Sequence, residues 1–144
     1  GFVDEWENGK RRLSANVWDK WCVSLATATD GREDMRFLHD TLLPVGEALD
    51  GAGRAYGFRV DQAMKLYVLN YPGNYREAVS DQIEMKILPK LNGMELQNPY
   101  FATVKRALSD AIAKTSDAKL QNAFEEACRQ DTGTTFFKWR GVMR

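Results

Sequence analysis

Apolar residues recur every three or four positions along almost the whole of this chain, the spacing that gathers them on one face of an α-helix. After Ser14, a side chain suited to an N-cap, Val17, Trp18, Trp21, Cys22 and Leu25 share such a face, and Gly31 follows it. From about Glu33 the next stripe holds Met35, Leu38, Leu42, Val45 and Leu49. Pro44 lies inside that run, where it either kinks the helix or opens a second one in its first turn. Gly51, Gly53 and Gly57 then loosen the backbone.

The pattern resumes at Asp61 with Ala63, Met64, Tyr67, Val68 and Tyr71, and stops at the turn-forming Pro72-Gly73-Asn74. Tyr75 to Leu88 carries Ala78, Val79, Ile83, Ile87 and Leu88 at helical spacing, closed by Pro89 and Gly93. Asn98-Pro99 reads as an N-cap followed by proline in the first helical position, with Phe101, Val104, Leu108, Ala111 and Ile112 on the apolar face behind it. Ser116 is expected to cap a last helix containing Leu120, Ala123, Phe124 and Ala127. Thr134–Trp139, rich in β-branched and aromatic residues and too short for a helix, predicts an extended tail. The expected fold is all-α: a bundle of about six helices with a short extended C-terminal tail. Residues 1–31 form an N-terminal helical or linker segment of unassigned role, and 32–144 the main helical domain. A parallel α/β architecture needs an alternation of strands and helices that is absent.

Composition narrows the function. A chain of 144 residues hides about 68–70% of its unfolded surface, enough for a core without disulfide or metal staples. Twenty basic side chains balance twenty acidic ones. Proteins that grip phosphate backbones over their whole surface carry a positive excess instead, which disfavours that role. The basic run Lys10-Arg11-Arg12 reads as solvated surface. Two cysteines without a Cys-x-x-Cys pair and a single histidine make no zinc set, so reduced thiols and a cytoplasmic location are expected. No apolar run approaches the roughly 18 residues of a membrane span, and no charged-then-apolar leader precedes the first helix. A tag-cleavage scar at Gly1 would make this an excised piece rather than a natural protein.

Catalytic motifs are missing as well: no phosphate-cradling Gly-x-x-x-x-Gly-Lys-Ser/Thr, no Gly-x-Gly-x-x-Gly, no His-Glu-x-x-His and no Gly-x-Ser-x-Gly. His39 and Asp40 are neighbours on a helix, pointing about 100° apart, and are expected to be solvated rather than an acid–base pair. Cys22 and Cys128 read as packing residues. No catalytic residue, metal ligand or cofactor is assigned to the chain on its own.

Three strings are more specific. Gly57-Phe58-Arg59-Val60 opens a helix; Ile87-Leu88-Pro89-Lys90-Leu91-Asn92-Gly93 follows; Lys119-Leu120 begins a helix that leads to Gly133-Thr134-Thr135-Phe136-Phe137. In this order and spacing, over about residues 38–140, they resemble the C-terminal helical lid of McrB-type AAA+ NTPases. That family shows Gly-aromatic-Arg-Val, Leu-Pro-Lys/Arg-Leu-His-Gly, then Lys-Leu before Gly-aromatic-Thr-Ser-Phe-Trp. Asn92 stands here where the family often has His, the closing string lacks its first aromatic, and Phe137 replaces the usual Trp.

The resemblance implies a lid that closes over GTP or ATP with Mg held by a separate P-loop subdomain, in a motor of DNA restriction or related defence. Its partners would be that subdomain, neighbouring subunits of a ring and an endonuclease; DNA would be met only through the whole motor. It further implies that Arg59, at the sensor-2 position, reads the phosphates from a helix N-terminus, with Gly57 and Phe58 as the nucleotide-proximal turn. Read without the resemblance, Arg59 is a solvated arginine or the partner of Asp61, and Gly57 is either a positive-φ turn residue or a point where the backbone closely approaches a ligand. Phe136, Phe137 and Trp139 read as a tail packed over the helices rather than a base-stacking platform. Two other functions suit an all-helical chain: a free-standing protein-interaction module using its N-terminal tryptophans, and a small DNA-binding helical domain.

Overall fold

The computed structural model describes residues 32–129 and 135–144, and the unit Glu33–Arg144 is built from five α-helices among those residues. They are α1 (Glu33–Gly51), α2 (Phe58–Asn70), α3 (Tyr75–Gln82), α4 (Pro99–Thr115) and α5 (Ala118–Ala127). The fold is all-α, as the periodicity predicts. The helix expected after Ser14, with Trp18, Trp21 and Cys22, lies outside the described residues, as do Lys10–Arg12, Gly31 and Gly133-Thr134.

Pro44 does not divide α1. The helix continues from Glu33 to Gly51 with the proline on its exposed side, where a carbonyl deprived of its helical donor can be solvated at little cost. Met35, Leu38, Leu42, Val45 and Leu49, the predicted stripe, are all buried and pack mostly against α4. Helix α4 answers with Phe101, Val104, Leu108, Ala111 and Ile112, again the predicted face. Its start is as read: the Asn98 side chain accepts from the Tyr100 amide at 2.9 Å, with Pro99 in the first turn.

Pro89 acts further upstream than periodicity alone foresaw. The α-helical part of the Tyr75 segment ends at Gln82, a five-residue π-helical stretch occupies Ile83–Ile87, and a 3₁₀ turn covers Leu88–Leu91. A proline has no amide to give and its ring crowds the preceding turn, so the chain widens before Pro89 and tightens around it. Ile83, Ile87, Leu88 and Leu91 nevertheless all reach the core with no exposed surface.

Ser116 is not an N-cap. It closes α4 in the left-handed region (φ 62°), and Asp117 caps α5 by accepting from the Leu120 amide at 3.0 Å. Asp117 also accepts from the Ser80 hydroxyl at 2.6 Å and pairs with Arg144 at 2.9 Å. Partial burial would raise its carboxyl, but the hydrogen bonds from Arg144, Ser80 and Leu120 outweigh that and hold it below the usual carboxylate range. This stabilisation is present above the unfolded carboxylate range and is lost as pH falls through the native value. Asp117→Ala is expected to cost about 2 kcal/mol at neutral pH, from the cap and the charged hydrogen bonds together. In urea titrations the gap between variant and wild type should narrow below about pH 4.

Candidate functional site

The second and third of the three strings come together in space. The chain after the 3₁₀ turn lies antiparallel to the tail: Gly93 N–H donates to the Phe137 carbonyl at 3.0 Å, Phe137 N–H to Met94 at 2.8 Å, and Leu96 N–H to Thr135 at 2.9 Å. The Asn92 side chain extends the pairing by accepting from the Trp139 amide at 2.7 Å. Among the described residues one pair, Glu95 with Phe136, is bridged, so the expected extended tail is present over residues 135–139 but makes no full strand there. Gly93 sits at φ +85°, which any other residue would hold under strain of about 1–2 kcal/mol.

The pairing delivers Phe137 to the interior. Its ring is 1% exposed and stands 6.1 Å from the rings of both Phe101 and Phe124. Trp139 is partly buried against the same core, whereas Phe136, its side chain on the opposite face of the extended chain, is 48% exposed. The tail thus packs over the helices with Phe136 turned out.

Periodicity gives no hint of Arg54, which fastens this corner. Its Nη1 donates at 3.0 Å to both the Lys90 and Asn92 carbonyls, tying the segment that leads into α2 to the Leu-Pro-Lys-Leu-Asn-Gly turn. No apolar spacing signals a cation reaching across 36 to 38 positions.

The first string begins α2 as predicted. Helix α2 starts at Phe58, one residue before Arg59, so Arg59 occupies the helix's second position. Its side chain is exposed, and so is Phe58, at 51%. Asp61 pairs with Lys65 at 3.0 Å, one turn on. Gly57 is not a positive-φ turn residue: at φ −78°, ψ 174° it is ordinary extended backbone, and a Cβ there would meet open space within the chain. It enters the helix the way most N-cap residues do. Gly57 and Phe58 line a shallow cleft of about 390 Å³ with Tyr56, Asp50 and Asp61.

The remaining candidates are quickly placed. His39 Nδ1 lies 3.3 Å from Asp40 Oδ1, closer than their angular separation on the helix suggests. Both side chains are about two-thirds exposed, so the contact is a surface one. Cys128 is buried, and burial pushes its thiol up to about 11, which suits packing rather than reactivity. Among the described residues there is no cluster of three or more metal-ligating side chains and no helix long and apolar enough to cross a membrane.

Compared with known proteins, residues 19–132 match a family described as a domain of unknown function (DUF8727). The chain belongs to this family. The match takes in α1 to α5 and the turn at Asn92-Gly93, while the paired residues of the tail lie beyond it. No curated protein and no solved structure matches this member of the DUF8727 family.

Arg54→Ala should cost about 1.5–3 kcal/mol, because it leaves two carbonyls without a charged donor. Hydrogen exchange will locate the damage: the Gly93, Leu96 and Phe137 amides should lose protection first, while those of α4 keep theirs.

Proposed function

We propose that this DUF8727 chain is the helical lid of a McrB-like AAA+ NTPase, closing over GTP or ATP bound by a P-loop subdomain in a motor of DNA restriction or defence. What carries the reading is the convergence of strings far apart in sequence. The Leu-Pro-Lys-Leu-Asn-Gly turn pairs with the Thr-Phe-Phe tail, and Arg54 ties that pair to the approach of Gly57-Phe58-Arg59-Val60. Two motifs of one resemblance therefore pair directly, and Arg54 fastens the segment leading into the first to that pair, the kind of cross-linking a moving lid needs in order to transmit a displacement.

Arg59 is the residue through which the lid would read the nucleotide. It is exposed in the first turn of α2, where the helix's free amides and positive dipole end favour an anion. A guanidinium there spans two phosphate oxygens at once and loses a partner when the γ-phosphate leaves. Gly57 and Phe58 form the approach to that turn. The chain has no phosphate cradle of its own, so by itself it should bind nucleotide weakly and hydrolyse none. Mg and the chemistry of hydrolysis would come with the P-loop subdomain, and the endonuclease and DNA with the assembled ring.

The test is kinetic, on the chain joined to its P-loop subdomain. Arg59→Ala should lower kcat about 10- to 100-fold, the loss of one or two charge-assisted hydrogen bonds in the transition state, while the melting temperature stays put. Arg59→Lys should recover only part of the rate, because an ammonium does not reproduce the bidentate fork. Unchanged turnover in Arg59→Ala would remove the residue from the mechanism.

A further inference from the structure

The outward side of the tail faces α5 across a cleft of about 540 Å³, away from the Arg59 turn. Alternate residues of the extended chain, Phe136, Lys138 and Arg140, line one wall, and α5 supplies Lys119, Ala123 and Ala127 on the other. The floor is apolar. The rim is cationic: Lys119, Lys138 and Arg140 are all exposed, and the acid beside them, Glu126, is already paired with Arg129 at 3.0 Å. A chain with zero net charge has thus gathered a local positive excess around one apolar trough.

The cleft is also held open in advance. One end of the tail is fixed by its pairing with Gly93, Met94 and Leu96. The far end is fixed by Arg144, which reaches Asp117 at 2.9 Å and Glu84 at 3.5 Å. A wall anchored on both sides of a groove pays little ordering entropy when something enters it.

We propose that this cleft docks an acidic segment of a partner protein, its aliphatic or aromatic side chains over Ala123, Ala127 and Phe136 and its carboxylates on Lys119, Lys138 and Arg140. Charge complementarity selects the sign of the occupant, and the apolar floor selects a peptide over a nucleic acid. Single strands bind along successive exposed aromatic platforms and a continuous phosphate track. Here Phe137 is buried and Trp139 half-buried, leaving Phe136 as the exposed ring of the tail.

The proposal is tested on the whole chain by fluorescence anisotropy. The probe is a labelled peptide of about eight residues alternating Asp or Glu with Leu and Phe, within the ordinary length of one extended strand. Its comparators are the same peptide with Lys in place of the acids, and an oligothymidylate of about ten nucleotides, near the span of a single-strand binding fold. The acidic peptide should bind saturably and more weakly as salt rises; the lysine version should not bind. Lys138→Glu with Arg140→Glu, both exposed, should weaken binding about tenfold or more by reversing the rim. Ala123→Arg, which fills the floor while adding a positive charge, should also abolish it, separating groove docking from bulk charge attraction. Unaltered thermal melts will show that both variants fold. The proposal is overturned if the acidic peptide fails to saturate, if the rim reversal leaves its affinity unchanged, if Ala123→Arg tightens binding, or if the oligothymidylate binds in preference to the peptide.

Discussion

The burial of Phe137 is the interaction on which the rest of the described fold leans. An extended strand end has no reason of its own to stay on a helical bundle; it needs an anchor worth more than the chain entropy lost in holding it. A fully buried phenylalanine contributes about 1.5–3 kcal/mol from burial alone, and its tilted neighbours Phe101 and Phe124 add to that. With the ring seated, the backbone on either side falls into register with Gly93 and Met94. That register sets the positions of Asn92, Trp139 and the Arg54-clamped carbonyls. One ring therefore joins α4, α5, the 3₁₀ turn and the segment leading into α2.

Around that anchor the polar contacts work as fasteners between elements. Tyr67 donates to Asp81 at 2.9 Å, linking α2 to α3. Arg76 donates to the Lys114 carbonyl at 2.8 Å and lies over the Phe37 ring at 4.8 Å, linking α3 to the end of α4 and to α1. Asp117 gathers Ser80, Leu120 and Arg144. None is deeply buried, so each contributes modestly; their effect is to select one arrangement of helices whose apolar faces alone would tolerate several.

Much of the fold was legible because its signals are local. The stripes of α1 and α4 and the Asn98-Pro99 cap depend on neighbours three or four residues away, and they stand where the spacing placed them. Where two local signals compete, the reading slipped by a residue: Ser116 and Asp117 both suit a cap, and the carboxylate with three donors took the position. Gln62 and Leu66 are buried although they lie off the predicted stripe of α2, since a stripe records one covered face and not a second. For the candidate site, the three strings could be picked out as text, but not the fact that two of them pair. Antiparallel backbone contacts across about forty positions leave no periodic trace, and Arg54 carries none either.

The π-helical stretch at Ile83–Ile87 fits the same logic of a local demand met by the surrounding core, with Pro89 widening the chain just where Ile83 and Ile87 must still point inward.

Among the described residues, Phe137 is the last fully buried apolar side chain to be synthesised. Translation proceeds from the N-terminus at about 5–20 residues per second, and Phe137 leaves the ribosome after every one of the five helices. Until then Phe101 and Phe124 lack the ring that packs against both of them in the folded chain, and the contacts that lean on it cannot form.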